Sequence, residues 1–394
     1  MSTQPQNYLD HMNRLSGEIA AVRHDIHQHP ELGFEEFRTS DLVARHLEEW
    51  GYEVERGLGE TGVVGRLKRG DGGRSLGIRA DMDALPIQEE TGLPYASNHA
   101  GVMHACGHDG HTTMLLAAAE YLAKHGKFSG TLNLIFQPAE ESLGGAKRMI
   151  EDGLFDKYPC DAVFAMHNMP GQKQGRLLFR EGAAMASSDY VTIILTGRGG
   201  HSAMPHLSAD PVVAAASIIM ALQTIVSRNA DPLETGVVTV AAVQAGKANN
   251  VIPNSARLEL SVRSLSRDLR LLIEQRIKEI AQAQAQAFGV EAEVDYRQGY
   301  SVLVNTPDET EFARSIARRL VGEDNVEPQC SPLTASEDFA FMLEKRPGCY
   351  LFIGNGEGGM PGGCEVHNPG YDFNDQNLPV GAAYWAMLTE EFLK

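Results

Sequence analysis

Short, unbroken apolar runs mark the chain at residues 75–78, 131–136, 161–165 and 350–353. Runs that do not alternate with polar residues are what strands buried on both faces of a sheet require. Between the first two, residues 112–124 place Met114, Leu115, Ala118, Ala119 and Leu122 at helical spacing, and a shorter helix is predicted from 144 to 150. Strands and helices in alternation predict a mainly parallel α/β sheet.

From residue 190 the order changes to strand 190–195, helix 211–226, strands 237–244 and 257–263, helix 269–288 and strand 291–296. This βαββαβ order is ferredoxin-like. The α/β pattern resumes after about residue 300. Residues 188–299 are therefore expected to form a small domain inserted into a discontinuous larger one, made of 1–187 and 300–394. A chain of 394 residues agrees with two bodies, because single cores stop growing at roughly 250–300 residues.

Charge narrows the partners. With 34 Lys and Arg against 52 Asp and Glu, the net charge of -18 repels a phosphate backbone, and no basic stripe interrupts it. Nucleic acid is excluded as an expected partner. The N-terminal MSTQPQNYLD lacks the basic and apolar regions of a signal peptide, and no run is read as reaching the ~18 apolar residues of a membrane span. No membrane partner and a cytoplasmic location are expected. Five scattered cysteines, an odd number, argue against a disulfide framework and suit a reducing compartment. Each remains available as a thiolate ligand.

The candidate chemistry gathers where predicted strands end. HACGHDGHT at 104–112 sets Cys106, His108 and His111 between a glycine turn and an apolar helix, and Cys and His are preferred ligands of zinc and similar ions. Surface histidines at a helix start are the other reading. FQPAEE at 136–141 brings Glu140 and Glu141 to the end of the strand at 131–136, and His167 follows the run at 161–165. RADMDALP supplies Asp81 and Asp83 after a further strand, and HNPGYDFND supplies His367. Open α/β sheets bind ligands beyond the carboxyl ends of their strands, so several ligand types there favour a metal site.

These motifs, with HQHPELGFEE, HNMPG, GRGGHSAMPH, NNVIP and SEDF, resemble over nearly the whole chain the amidohydrolases of the aminoacylase and carboxypeptidase metallopeptidase superfamily. The branch resembled holds hippurate hydrolases and indole-acetyl-amino-acid hydrolases. The resemblance implies that Cys106, His108, Glu141, His167 and His367 bind two divalent ions per subunit, zinc, manganese, cobalt or nickel. It further implies that Glu140 is the catalytic base, that Asp83 orients a metal-bound histidine, and that His201 reaches an active site to stabilise an oxyanion. A histidine stands in the wider superfamily where this chain has Asp81, so Cys106 takes the place of that ligand.

The branch commonly has Gly-Thr two residues ahead of an Arg where this chain reads LSVR at 260–263. Arg263, with Asn250, is expected to hold a substrate carboxylate, a solvated strand-end arginine being the other reading. The function expected is hydrolysis of N-acyl amino acids, hippurate-like or N-acetylated, by a homodimer or a tetramer in which His201 serves the partner's site. A dipeptidase or carboxypeptidase on the same scaffold is the first rival, and a catalytically inactive metal-binding regulator the second.

Overall fold

The computed structural model describes residues 5–141 and 143–394, so the first four residues of the polar N-terminal stretch lie outside it. The chain divides into two compact units. One comprises Met1–Gly182, Val304–Ser331 and Phe341–Lys394, the other Ala183–Leu303 and Pro332–Ala340.

The larger unit is built on an eight-stranded mixed sheet in the order Glu53–Leu58, Gly62–Arg69, Gly130–Gln137, Ser75–Asp81, Ala162–Pro170, Gly348–Gly356, Leu177–Leu178 and Val326–Glu327. Its four central strands, from Gly130–Gln137 to Gly348–Gly356, are mutually parallel. They contain the four apolar runs except for Asp161, and every residue of Gly348–Gly356 is buried. The strands extend further than the apolar runs do. Ala162–Pro170 continues through His167, which therefore sits within a strand. Two antiparallel strands, Glu53–Leu58 and Gly62–Arg69, are added at one edge; their mixed polarity hid them.

Register sets the height of the chemistry. Asp81 pairs with Gln137, and Arg79 pairs with Ala165, which puts His167 level with Asp81. The helix starts at His108, four residues earlier than its apolar spacing indicates, and runs to His125. It packs with the almost wholly buried helix Asn377–Phe392 in the main core.

The smaller unit carries a four-stranded antiparallel sheet ordered Gly236–Ala245, Ser255–Ser264, Ser187–Thr196, Glu291–Gln298. In chain terms this is second, third, first, fourth, the ferredoxin-like arrangement. Helices Pro211–Thr224 and Arg267–Ala287 cover the face that buries Val191, Ile193 and Leu195, while Tyr190 and Ile194 on the opposite face stay exposed. Both helices have sequence-encoded starts: Asp210 Oδ1 accepts from Val212 N–H ahead of Pro211, and Ser266 Oγ accepts from Leu269 N–H. One expectation needs correcting. Pro211–Asn229 is long and apolar enough, by length and composition, to cross a membrane. Its buried Ala214, Ala215, Ile218 and Leu222 pack in this unit's core, so its apolarity serves a helix on a sheet.

Candidate metal centre

At the carboxyl ends of the central strands, donor atoms of Cys106, His108 and His167 lie within 4.8 Å of one another, as do those of Cys106, Glu141 and His367, and of His108, Glu140 and Glu141. The five expected ligands and Glu140 thus form one continuous cluster in the larger unit. Cys106 Sγ is 3.3 Å from His167 Nε2, and His367 Nε2 is 3.1 Å from Glu141 Oε1.

The surrounding hydrogen bonds orient the rings. His108 Nδ1 lies 2.8 Å from the Asp83 carbonyl oxygen and 3.1 Å from Asp83 Oδ1, so it donates, leaving the buried Nε2 without a hydrogen-bond partner among the described residues. His167 Nδ1 donates to the Asn168 carbonyl at 2.7 Å, which again turns Nε2 toward the cluster. Fixing one ring nitrogen as donor fixes the other as a lone pair available to a cation. An orphaned imidazole nitrogen grouped with a thiol and carboxylates fits divalent ions bound by nitrogen, sulfur and oxygen.

His111 has a supporting part that its place in the motif does not disclose. It stands one helical turn beyond His108, donates through Nδ1 to Asp81 Oδ1 at 2.7 Å, and accepts at Nε2 from Asn168 N–H at 3.0 Å. The ring therefore ties the strand carrying His167 to Asp81. Asp81 also accepts from Arg79 Nη1 at 2.6 Å. Burial opposes charge on Asp81, but His108, Arg79 and His111 outweigh it and hold the carboxyl well below its usual range. The i, i+3 spacing of His108 and His111 was the available signal.

Burial first, then the Glu141 carboxylate, pushes the Cys106 thiol well above its ordinary range. The thiolate form needs a cation beside it. Burial, then the neighbouring His111 ring, holds His167 well below the usual imidazole range, so that ring is neutral. Two backbone positions in the cluster are strained: Ala139 has φ of 53° and His367 has φ of 62°, left-handed values uncommon outside glycine. At Gly107, with φ of 93°, a side chain would also collide with the Asn168 amide and the Tyr371 hydroxyl.

Behind the start of the ligand helix, buried Arg23 and His27 bracket Asp109; His27 Nδ1 is 2.8 Å from Asp109 Oδ2 and its Nε2 is 3.4 Å from Glu89 Oε1. Burial disfavours a charged His27, but Asp109 outweighs it and raises the ring to about 9. Because the folded value lies above the ordinary 6.5, the pair's stabilisation is complete below that pH and is lost as pH rises through about 9. The loss is of order 3 kcal/mol. Denaturation of wild type and His27→Gln between pH 6.5 and 9.5 checks this: wild type should lose more stability than the variant, and parallel curves would contradict it.

The remaining expected residues lie on the smaller unit. His201 is exposed, on the two-residue strand Gly200–His201 that pairs with Val251–Ile252. Its Nδ1 accepts from Ala203 N–H at 3.1 Å, which leaves Nε2 as the donor, with no hydrogen-bond partner among the described residues. His201 and Asn250 line one cleft of about 1080 Å³ with Gln244, Lys247 and Arg257. Arg263 is elsewhere on the sheet. It lies six residues along the strand from Arg257, roughly 20 Å at strand rise, and donates to Ser336 Oγ at 3.0 Å. One chain therefore does not bring Asn250 and Arg263 together.

A dinuclear-type donor cluster at the ends of parallel central strands, in a chain that also folds a ferredoxin-like unit, defines a class of metallohydrolase. The pattern of peptidase family M20/M25/M40 matches residues 77–391, and the chain belongs to that family. It is 48% identical to the hippurate hydrolase of Campylobacter jejuni, covering 98% of this chain and 100% of the relative. It is 38% identical to an N-acetyl-L-cysteine deacetylase of Bacillus subtilis, covering 95% and 88%. A solved dinuclear metal-binding peptidase of the M20 family from Bacillus subtilis superposes with a TM-score of 0.83 at 34% identity, covering 97% of this chain and 99% of that one.

Proposed function

We propose that this protein hydrolyses the amide bond of N-acyl amino acids, consuming water and releasing a carboxylic acid and a free amino acid. The observation that carries the reading is the clustering of Glu140 with Cys106, His108, Glu141, His167 and His367, in a chain whose relatives act on hippurate and on N-acetylcysteine. The chain is a metal-dependent amidohydrolase, with those five side chains as ligands of two divalent ions. Bound there, the ions supply Lewis acidity to a carbonyl oxygen and lower the pKa of water. Glu140 takes a proton from the attacking water and returns it to the leaving nitrogen. Asp83 and Asp81 keep the imidazoles in register with the ligand cluster. Zinc, manganese, cobalt and nickel all suit the donor set.

The working form is a homodimer in the cytoplasm. Five free cysteines support a reducing compartment. On the smaller unit, Val212, Val213 and Met220 expose an apolar helical surface, and Gly236–Ala245 and Glu291–Gln298 are edge strands. A second copy is the occupant that removes both liabilities at once. His201 with its Nε2 donor then stabilises the oxyanion in the partner's site. Since Asn250 shares the His201 cleft and Arg263 does not, the two arms expected to clamp the substrate carboxylate come from different chains.

Turnover on benzoylglycine, N-acetyl amino acids and unmodified dipeptides tests the assignment. Hydrolysis of the acylated compounds with none of the dipeptides supports it, and dipeptides as the sole substrates would replace it with a peptidase. On the preferred substrate, Arg263→Ala should raise KM at least about tenfold, the scale of one lost charge-assisted bond. A KM equal to wild type would remove Arg263 from the clamp.

A further inference from the structure

The strained loop that presents Glu140 is held from behind by a carboxylate that takes no part in the ligand cluster. Glu36 is fully buried. Its Oε1 accepts from Ala139 N–H at 2.8 Å and its Oε2 from the Thr61 hydroxyl at 2.5 Å. Ala139 immediately precedes Glu140 and has a left-handed backbone. On the other side of Glu140, Glu141 N–H donates to Asp83 Oδ2 at 2.8 Å. The amides flanking Glu140 in sequence are therefore each fixed by a carboxylate. The segment 31–36 that carries Glu36 also reaches the Asp83 loop, because Ala84 N–H donates to the Glu31 carbonyl at 2.8 Å. At Gly33 a Cβ would lie 3.0 Å from Ala139 Cα, so the two backbones approach closely.

We infer that Glu36 is a positioning residue for Glu140: by accepting from Ala139 N–H it holds the left-handed turn that sets where the Glu140 carboxylate stands. Burial pushes the Glu36 carboxyl up to about 7, the Thr61 hydrogen bond opposing it. A buried acid is a costly way to fill space. A hydrogen-bond acceptor aimed at one strained amide gives it a purpose. The inference rests on Glu140 being the base.

The test compares kcat, KM and bound metal in the holoenzyme. Glu36→Ala should lower kcat about 10- to 100-fold, the scale of a misplaced catalytic group, with KM and metal content unchanged. Glu36→Gln keeps an oxygen acceptor of the same reach and should recover most of the rate. Glu36→Asp falls short of Ala139 and should not, which preserves the test if the alanine variant does not fold. In a Glu140→Gln background, Glu36→Ala should cause little further loss. A wild-type kcat in both Glu36→Ala and Glu36→Asp, a loss that follows lost metal, or an undiminished loss in the Glu140→Gln background would each overturn the inference. Failure of the parent reading looks different, since Glu140→Gln would itself then keep wild-type turnover.

Discussion

Glu140→Ala is expected to bind metal as wild type does and to lose about 10²- to 10⁴-fold in kcat, the usual contribution of a general acid–base group. The expectation follows from position. Glu140 shares a cluster with His108 and Glu141, yet on the proposed reading the five other side chains would already supply nitrogen, sulfur and oxygen ligands for two ions. A proton must leave the attacking water and another must reach the amine before it departs, and one carboxylate can carry out both transfers. Metal analysis beside steady-state kinetics separates the roles: retained metal with collapsed kcat identifies a base, whereas metal and activity lost together identify a ligand. Wild-type turnover in the variant would sink the assignment.

His201→Ala should cost about 10²- to 10³-fold in kcat, the scale of removing one oxyanion donor, while leaving Glu140 and the five proposed ligands intact. With Nδ1 accepting from Ala203 N–H, the ring presents Nε2 as its donor. The imidazole is also exposed on a unit that contains none of the five proposed ligands. Mixing separates action in the partner's site from action within one chain. When His201→Ala and Glu140→Ala subunits are unfolded and refolded together, each heterodimer should contain one complete site if the histidine acts across chains. Near-wild-type activity per complete site would then reappear from two nearly inactive parents. No recovery from verified heterodimers would place His201 at its own chain's centre or in a structural role.

The elements that carry the chemistry were legible because burial on both faces leaves apolar runs. Residues 131–136 and 161–165 pointed to the strand ends beside Glu140 and His167, although Ala162–Pro170 continues through the histidine. The grouping of Cys106, His108 and His167 was legible chiefly through the resemblance of their motifs to a metallopeptidase family, since Cys106 and His108 precede a helix rather than follow an apolar run. Less visible were features that depend on register or on a single hydrogen bond. Nothing in the spacing of Asn250 and Arg263 reveals that the strand Ser255–Ser264 carries Arg263 away from the cleft that Asn250 lines. Glu36 lies among other acidic residues and is distinguished only when Ala139 N–H meets its carboxylate. His111 was visible as a residue, but its service to Asp81 and Asn168 depends on two bonds made across the fold.

The tethering of His108 and His167 through their Nδ1 atoms means that folding, rather than an arriving cation, decides where these rings point. In a receptacle organised in advance, with a thiol, imidazoles and carboxylates in one place, affinities follow the general order of the first-row ions rather than a choice made by the site. Cellular supply then does much of the choosing. The ion carried by a purified sample is accordingly expected to vary with the metals supplied to the cells. Two preparations of the same sequence can differ in catalytic rate while their polypeptides are identical.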